Sequence, residues 1–267
     1  MAEVFAFLAV LLTGVILGLI GAGGSILTVP ILVYLFGIQA ELATAYSLFI
    51  VGLTALVGAV LMNRAGLVDF RTVILFAPSS VLGVYLVRYY GLPAIPDLIV
   101  IGQFFELTKN TLIMVVFALL MLATSYSMIG GKYDPKPAQQ VGVDLRLLLT
   151  VFIEGLVVGA ITGFVGAGGG FLMVPALVML VGLRMKVAVG TSLSIVSIKS
   201  LLGLGGDIQR GVALDWYFLF GLSVVAILGI FLGMRLARNF SGAKLKPAFG
   251  YFVLVMGAFM LVAELYQ

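Results

Sequence analysis

The chain alternates between long apolar runs and short polar intervals. A membrane-spanning helix needs about 20 predominantly apolar residues. Eight runs approach or exceed that length, and they cover residues 4–36, 42–62, 70–90, 109–129, 147–181, 187–206, 214–236 and 247–265. The pattern predicts an all-α polytopic membrane protein with about eight transmembrane segments.

Polar intervals divide the chain into parts. The longest, residues 130–146, is rich in Gly, Pro and charge and is predicted to be a linker. It separates two halves, 1–129 and 147–267, of a single membrane domain that covers 1–267. A second interval, Tyr89–Asn110, is predicted to lie along the membrane surface. Charged residues at segment ends, among them Arg88, Asp207 and Arg210, are expected in loops, where they set the topology.

The two halves are predicted to be copies of one another. With an offset of 145 residues, GLIGAGGSILTVPILVYLFG (Gly18–Gly37) aligns with GFVGAGGGFLMVPALVMLVG (Gly163–Gly182), and twelve of the twenty positions are identical. The match extends to Ser47-Leu48 over Ser192-Leu193. With one further residue of offset, Leu82-Gly83 lies over Leu228-Gly229. Hydrophobicity does not explain shared Gly and Pro positions, so we interpret the match as an internal duplication into two four-segment repeats.

The first segment of each half is too long for one span and contains GAGGS or GAGGG followed by Pro30 or Pro175. Adjacent glycines disfavour helix, and proline withholds a backbone N–H group, so each segment is predicted to be a Gly/Pro-broken helix. If each broken segment crosses the membrane, the repeats are parallel. If each dips in and returns, they are inverted. The sequence does not decide between these arrangements.

Broken helices in corresponding positions are a sequence indicator of a transporter's binding site. Irregular backbone at membrane depth is tolerated only where protein buries it or where it lines a water-filled cavity. The half-helix that starts after a break presents free N–H groups and a positive dipole end, which attract an anion. The alternative role of such glycines is close helix packing, an interpretation that fits Gly14 with Gly18 and Gly155 with Gly159.

Composition narrows the chemistry. Hydrophobic residues make up 63% of the chain and charged residues 10%, and the mean hydropathy is +1.26, so most of the surface must face lipid. The absence of His and Cys removes imidazole and thiolate sites, and GAGGS lacks the Lys-Ser/Thr of a phosphate-binding loop. We therefore expect no cofactor, no metal and no enzymatic activity. The net charge of +4 indicates loop topology and anionic ligands rather than nucleic acid.

The paired G-x-G-G-[GS]…P elements, the duplication and Gly-Thr-Ser-Leu at Gly190–Leu193 resemble the TauE/SafE family of sulfite exporter-like permeases. The resemblance covers nearly the whole chain. It implies a multi-pass plasma-membrane protein that exports small sulfur oxyanions such as sulfite, sulfoacetate or other sulfonates. The first half departs from the pattern, because Ala45-Tyr46-Ser47-Leu48 stands where the second half has Gly190-Thr191-Ser192-Leu193. Ser47 is the position of that element that we retain.

Candidate substrate-binding residues come from the breaks, from nearby hydroxyls and from one lysine inside an apolar run. An intramembrane charge marks a functional site by default, so Lys199 is expected to offset the charge of an anion, and Glu154 to carry a coupling proton. The alternatives are a Lys199 head that reaches the interface and a Glu154 that pairs with Arg146. The substrate-binding set is Gly21, Gly23, Gly24, Ser25, Ser47, Gly166, Gly168, Gly169, Gly170, Thr191, Ser192 and Lys199.

Two other functions compete with anion transport. A membrane-embedded enzyme would need a nucleophile or metal constellation, which a chain without His or Cys does not supply. A scaffold or assembly partner would explain helix packing but not two matching breaks. The expected partners are a small anion, the lipid bilayer and a coupling proton; the sequence gives no indication of a homo-oligomer.

Overall fold

The computed structural model describes residues 2–21, 24–101, 105–130, 145–179, 181–237 and 242–266, and most of them are helical. The first half contains α1 (Ala2–Ile20), α2 (Ser25–Pro30) with a π-helical continuation (Ile31–Leu35), α3 (Ala40–Arg64), α4 (Phe70–Leu86) with a π-helical continuation (Val87–Gly91), α5 (Leu92–Ala94), β1 (Leu98–Ile101), β2 (Phe105–Thr108) and α6 (Lys109–Gly130). The second half contains α7 (Leu145–Val165), α8 (Gly170–Met179), α9 (Met185–Gly203), α10 (Gly205–Gln209), α11 (Trp216–Ala237) and α12 (Gly242–Leu265).

Within these residues, five helices are long and apolar enough to cross a membrane. They are Ala40–Arg64, Phe70–Ala94, Lys109–Tyr126, Met185–Gln209 and Trp216–Ala237. Shorter apolar helices flank them at Phe5–Ile20, Ser25–Leu35, Leu149–Val165 and Gly250–Glu264. The chain is therefore a polytopic, mostly helical membrane protein, as the apolar runs predict.

One short β-hairpin departs from an all-α architecture. β1 and β2 pair antiparallel, with Leu98 opposite Thr108 and Ile101 opposite Phe105. The preceding helix ends just after Pro93, and Pro96 follows before the strand starts. Proline and the residue before it disfavour helix, whereas the β-branched residues of LIVI favour strand. The interval Tyr89–Asn110, predicted as a single surface segment, thus contains a helix end, a hairpin and the start of α6.

The first broken segment forms a hairpin of helices. Gly21 has φ +74°, and the chain then returns along α1. A Cβ atom on Gly24 would lie 2.0 Å from the carbonyl oxygen of Thr13, and the rings of Phe7 and Phe36 meet edge to face with centroids 6.1 Å apart. Residues near the two ends of the segment, 5–36, therefore lie on the same side of the domain.

The second broken segment also turns back along its own first helix, but Gly169 has a positive φ angle where the corresponding Gly24 is helical. Gly166, Gly168 and Gly169 all have positive φ angles, which a side chain would disfavour. Gly169 then packs against α7, because a Cβ atom there would lie 1.9 Å from Cγ2 of Thr162. The prolines are not part of either break: Pro30 is the last residue of α2 and Pro175 lies within α8. A π-helical turn follows Pro30, where the missing N–H group interrupts the regular α-helical ladder.

Helices α3 and α9 form the centre of the domain. Their apolar windows are 67% and 78% buried, the largest values among the five spans. They run antiparallel, because Gly190 near the start of α9 contacts Met62 near the end of α3, and Gly52 in the middle of α3 contacts Leu201 late in α9. This direction places the start of one helix beside the end of the other.

Glycines bring the broken segments close to the outer helices. Gly14 packs on Ala226 and Gly18 on Ile230, so α1 lies parallel to α11 at backbone contact distance. Gly159 packs on Ser80 in the same way, where α7 lies parallel to α4. The close-packing interpretation of Gly14, Gly18 and Gly159 therefore agrees with their surroundings.

We predict that Gly229→Ala lowers the thermal unfolding temperature of the purified protein. The added methyl carbon would lie 2.2 Å from the carbonyl oxygen of Leu11, so α1 and α11 would have to separate. Gly221→Ala on the same helix is the control, since its methyl group would meet no atom within 4 Å. Alanine favours helix by about 1 kcal/mol over glycine, so the control should be neutral or stabilising. Equal unfolding temperatures for the two variants would contradict this packing.

Candidate functional site

The two breaks meet at the α3/α9 pair, and each first glycine faces a helix of the opposite half. A Cβ atom on Gly21 would lie 2.2 Å from Cγ1 of Val189 in α9, and one on Gly166 would lie 2.3 Å from Cβ of Thr44 in α3. Positions 44 and 189 correspond under the 145-residue offset, so the two contacts are equivalent. Each half therefore encloses the break of the other.

The breaks also approach each other. A Cβ atom on Gly168 would lie 2.7 Å from Val51 and 3.5 Å from Val196, which correspond under the same offset, and 3.4 Å from Cβ of Ser25. Ser25, at the start of α2, thus lies beside the second break. Irregular backbone here is enclosed by protein, which is the condition for its presence at membrane depth.

The extent of the breaks differs slightly from the prediction. Ser25 and Gly170 are the first residues of α2 and α8, and Gly24 already has helical angles (φ −64°, ψ −32°). Small residues at a helix start do not interrupt it, so these positions belong to the half-helices rather than to the breaks. Gly23 lies outside the described residues.

Gly24 and Gly169 allow close helix packing and do not leave open space for a ligand. A side chain on Gly24 would strike α1 at Thr13, and one on Gly169 would strike α7 at Thr162. Substitution at either position would separate the arms of its own hairpin. Loss of transport in such variants would therefore not identify substrate contact.

Two buried serines supply unsatisfied hydroxyls at equivalent positions. Ser47 and Ser192 are both 0% exposed, and neither Oγ atom has a hydrogen-bond partner within the described structure. Helical spacing places Ser47 on one face with Thr44 and Val51, which contact the second break. Ser192 shares a face with Val189 and Val196 in the same way. A buried hydroxyl without a partner costs free energy, so these two atoms are candidates for ligand contact.

Thr191 is already used by the fold. Its hydroxyl oxygen accepts a hydrogen bond of 2.9 Å from the backbone N–H of Asp69, across the two halves. Tyr46, the corresponding residue of α3, accepts one of 3.0 Å from the backbone N–H of Asp215. The departure of the first half from Gly-Thr-Ser-Leu therefore preserves the contact, with a phenol in place of an aliphatic hydroxyl.

Lys199 lies against the second break. Its side chain is 0% exposed, its Nζ donates to Oγ1 of Thr162 at 3.1 Å, and a Cβ atom on Gly169 would lie 2.7 Å from that Nζ. No described carboxylate is within ion-pair distance of it. The interpretation as a lysine that reaches a polar interface does not fit this burial. Lys199 instead places a positive charge beside Gly169, where an anion would offset it.

The first half has no lysine at the corresponding position, which is occupied by Thr54. A small cavity lies there beside Gly24, with Thr13, Thr28 and Thr54 in its wall. All three hydroxyls donate to backbone carbonyl oxygens, Thr13 to Val10 at 2.7 Å and Thr54 to Ile50 at 2.6 Å among them. The two breaks thus have different electrostatic surroundings.

Glu154 lies on α7 away from these contacts. Its side chain is partly exposed, and no ion pair involves it within the described residues. The side chain of Arg146, its predicted alternative partner, is outside the described part of the chain. A role in proton coupling therefore stays a prediction.

A buried charge network is the feature that sequence reasoning missed. The expectation that Arg88 and Asp207 lie in loops is wrong: both side chains are buried within helical segments, and Nη1 of Arg88 lies 3.3 Å from Oδ2 of Asp207. Arg210 links this pair to Glu41, because its Nη1 lies 3.8 Å from Oδ1 of Asp207 and its Nη2 lies 3.2 Å from Oε1 of Glu41. Nζ of Lys109 lies 2.8 Å from the same Glu41 carboxylate. The available signal was Arg88 itself, a charge within an apolar helical run, to which the rule applied to Lys199 extends.

Comparison of the sequence with known proteins identifies the family of this chain. The chain matches the family described as sulfite exporter TauE/SafE over residues 6–260. It is 30% identical over 253 residues to a "Probable membrane transporter protein" of Xylella fastidiosa (strain 9a5c), covering 94% of this chain and 91% of that protein. It is 26% identical to "Probable membrane transporter protein YunE" of Bacillus subtilis (strain 168), over 86% of each. No solved structure matches the chain. The chain belongs to the sulfite exporter TauE/SafE family and is a multi-pass transporter of the plasma membrane.

Proposed function

We propose that the protein is a secondary transporter that exports small sulfur-containing oxyanions such as sulfite, sulfoacetate or other sulfonates. The observation that carries the proposal is the pair of buried serines, Ser47 and Ser192, on the helix faces that enclose the two breaks. Neither hydroxyl has a hydrogen-bond partner among the residues that the structure describes. Two hydroxyls, the backbone N–H groups that start each half-helix, and the ammonium of Lys199 together suit a compact anion with several oxygens. Family membership supports a role in membrane transport.

The electrostatics favour an anion over a cation at this site. Lys199 is buried against Gly169, and no carboxylate described in the structure neutralises it. An uncompensated buried charge is costly, and a bound anion would repay part of that cost. Proton coupling through Glu154 belongs to the same proposal, supported by the position of this carboxyl group within an apolar helix.

Alternating access is the mechanism we propose, with the halves 1–129 and 147–267 as inverted repeats joined by the linker 130–146. The support is the set of matching contacts between halves: Gly21 with Val189 corresponds to Gly166 with Thr44, and Thr191 with Asp69 corresponds to Tyr46 with Asp215. Inverted repeats can exchange conformations, so that access to a shared central site alternates between the two membrane faces.

Removal of the hydroxyl of Ser47 or Ser192 should weaken anion binding without loss of protein stability. We expect Ser47→Ala and Ser192→Ala each to lower affinity for methanesulfonate or sulfite a few-fold, since one hydrogen bond contributes about 1 kcal/mol. The anion-free protein should be as stable as wild type or more so, because an unsatisfied buried group is replaced by an apolar one. Titration calorimetry and flux in proteoliposomes measure the two effects.

Ser223→Ala is the matched control for these variants. Ser223 is also fully buried with an unpartnered hydroxyl, but it lies on α11 rather than on α3 or α9. Its substitution should leave affinity unchanged. The proposed site is wrong if Ser223→Ala reduces affinity as much as Ser192→Ala. It is also wrong if neither Ser47→Ala nor Ser192→Ala reduces affinity.

Loss of the Lys199 charge should reduce anion binding strongly. Lys199→Met keeps an unbranched side chain of similar length but removes the ammonium, so we expect affinity to fall about tenfold or more, which corresponds to about 1.4 kcal/mol. Stability should not fall, because a buried unpaired charge is removed. Lys186→Met, at an exposed position of the same helix, is the control. Equal sulfite flux and affinity in Lys199→Met and wild type would remove Lys199 from the site.

The inverted arrangement predicts which loops share a membrane face. The chain contains no cysteine, so single cysteines can be introduced at the exposed positions Gln39, Ala65, Arg184 and Ala213. Inverted repeats with returning hairpins place Gln39 with Ala213 on one face and Ala65 with Arg184 on the other. Labelling by a membrane-impermeant maleimide in oriented vesicles measures this. Parallel repeats would instead pair Gln39 with Arg184.

A further inference from the structure

The buried charge network has an unused donor edge. Arg88 is 0% exposed, and its Nη1 bonds Asp207, whereas its Nε and Nη2 atoms have no hydrogen-bond partner in the described residues. Nε–H and one Nη2–H point in parallel from the same side of a guanidinium group. This is the edge that binds an oxyanion through two parallel hydrogen bonds. Buried polar groups in native proteins are nearly always paired, so this edge is a candidate for ligand contact. Oδ2 of Asp207 also has no hydrogen-bond partner in the described residues.

The network also carries excess positive charge. It contains three basic groups, Arg88, Lys109 and Arg210, and two acidic groups, Glu41 and Asp207, which leaves one positive charge uncompensated. Arg210 is oriented by the backbone as well, because its Nη1 donates to the carbonyl oxygen of Arg88 at 3.1 Å. Since Arg88 and Asp207 are buried, solvent does not screen this charge effectively. One monovalent anion would make the cluster neutral.

The position of the network relates it to the central site. Glu41 accepts a hydrogen bond from the hydroxyl of Thr44 at its backbone carbonyl, and Thr44 contacts Gly166 of the second break. The network therefore lies about one helical turn from that break, towards the face where α3 begins. An anion that leaves the central site in this direction would meet Arg88.

At the opposite end of the α3/α9 pair, the positions equivalent to Asp207 and Arg88 are apolar. Under the repeat offsets, Asp207 corresponds to Met62 and Arg88 to Met234, and both methionines pack against an apolar cluster that includes Leu193 and Ile230. The duplicated architecture thus carries an ion pair at one end and methionines at the other. Helix packing does not require this difference, since the methionine version also fills the corresponding space.

We propose that the Nε/Nη2 edge of Arg88 is a second anion-binding site, for a small oxyanion such as a sulfonate, between the breaks and the face where α3 begins. The ligand class rests on the proposed function; the presence of an oxyanion site does not. Asp207 and the anion would bind different donors of the same guanidinium group, but their negative charges repel each other. Binding would therefore weaken the Arg88–Asp207 pair, which joins the two halves of the domain.

The repulsion between Asp207 and the anion predicts the direction in which affinity changes when Asp207 is replaced. The test uses the full-length protein in detergent, with methanesulfonate as the probe and thermal unfolding as the measurement. Asp207→Asn removes the repelling carboxylate, so the apparent affinity should rise about tenfold relative to wild type. Without anion this variant should be less stable, and methanesulfonate should restore its unfolding temperature. A purely structural role of Arg88 would produce the loss of stability without the gain in affinity.

Further variants separate geometry from charge. Arg88→Lys keeps the charge but loses the two-donor edge, so its affinity should fall about tenfold or more. Arg64→Lys, at an exposed arginine, should not change it. If Arg88→Lys does not fold, Arg88→Gln combined with Asp207→Asn removes both charges and should retain the fold without the response linked to Arg88. Chloride at equal ionic strength should stabilise wild type less than methanesulfonate, because one spherical ion does not match two parallel N–H groups as two sulfonate oxygens do.

Three results would overturn the proposal: no rise in affinity for Asp207→Asn, equal responses of wild type and Arg88→Lys, or no stabilisation of wild type by methanesulfonate. These results are independent of transport. Normal sulfonate flux with no effect of Arg88→Lys on binding would disprove the second site and leave the proposed function intact. If flux is absent but the predicted binding changes occur, the second site stands and the proposed transport function is wrong.

Discussion

The structure depends on one constraint: backbone N–H and C=O groups cannot be left without partners in hydrocarbon. Two interruptions of helix, at Gly21 and at Gly166–Gly169, can therefore persist only where protein surrounds them. The antiparallel pair α3/α9 provides that enclosure, with Val189 against one break and Thr44 against the other. The positive φ angles and the close backbone contacts explain why glycine stands at these positions, since a Cβ atom at any of them would require neighbouring atoms to move.

Because each break is enclosed by the other half, neither half is complete alone. The outer helices also pack across the halves: α1 of the first half packs on α11 of the second, and α7 of the second half packs on α4 of the first. Hydrogen bonds from Asp69 to Thr191 and from Asp215 to Tyr46 repeat the pattern at both ends of the central pair. A relative movement of the halves would change all of these contacts together, as the proposed alternating access requires.

The two ends of the central pair differ although the backbone is duplicated. One end holds Arg88 and Asp207 in a buried ion pair, and the other holds Met234 and Met62. An ion pair depends on distance and direction and costs free energy when it is broken, whereas apolar contacts are non-directional. The proposed anion site would therefore exist at the end with Arg88 and Asp207, since the methionines at the other end offer an anion no polar partner. Lys199 and Thr54 introduce the same kind of asymmetry at the breaks themselves.

The sequence by itself determined the features that depend on local composition. Apolar run lengths predicted a polytopic helical membrane protein, and the glycine clusters lie at both helix interruptions. The 145-residue offset predicted that Ser47 and Ser192 are equivalent, and neither hydroxyl has a partner within the described structure. Only the tertiary structure decided that the broken segments turn back, because hydropathy measures how apolar a stretch is and not the direction in which it runs. Arg88 and Asp207 are 119 positions apart, and each resembles an ordinary charge at a helix end. Their pairing, like the burial of Lys199 beside Gly169, arises from contact between distant segments, which a local pattern does not encode.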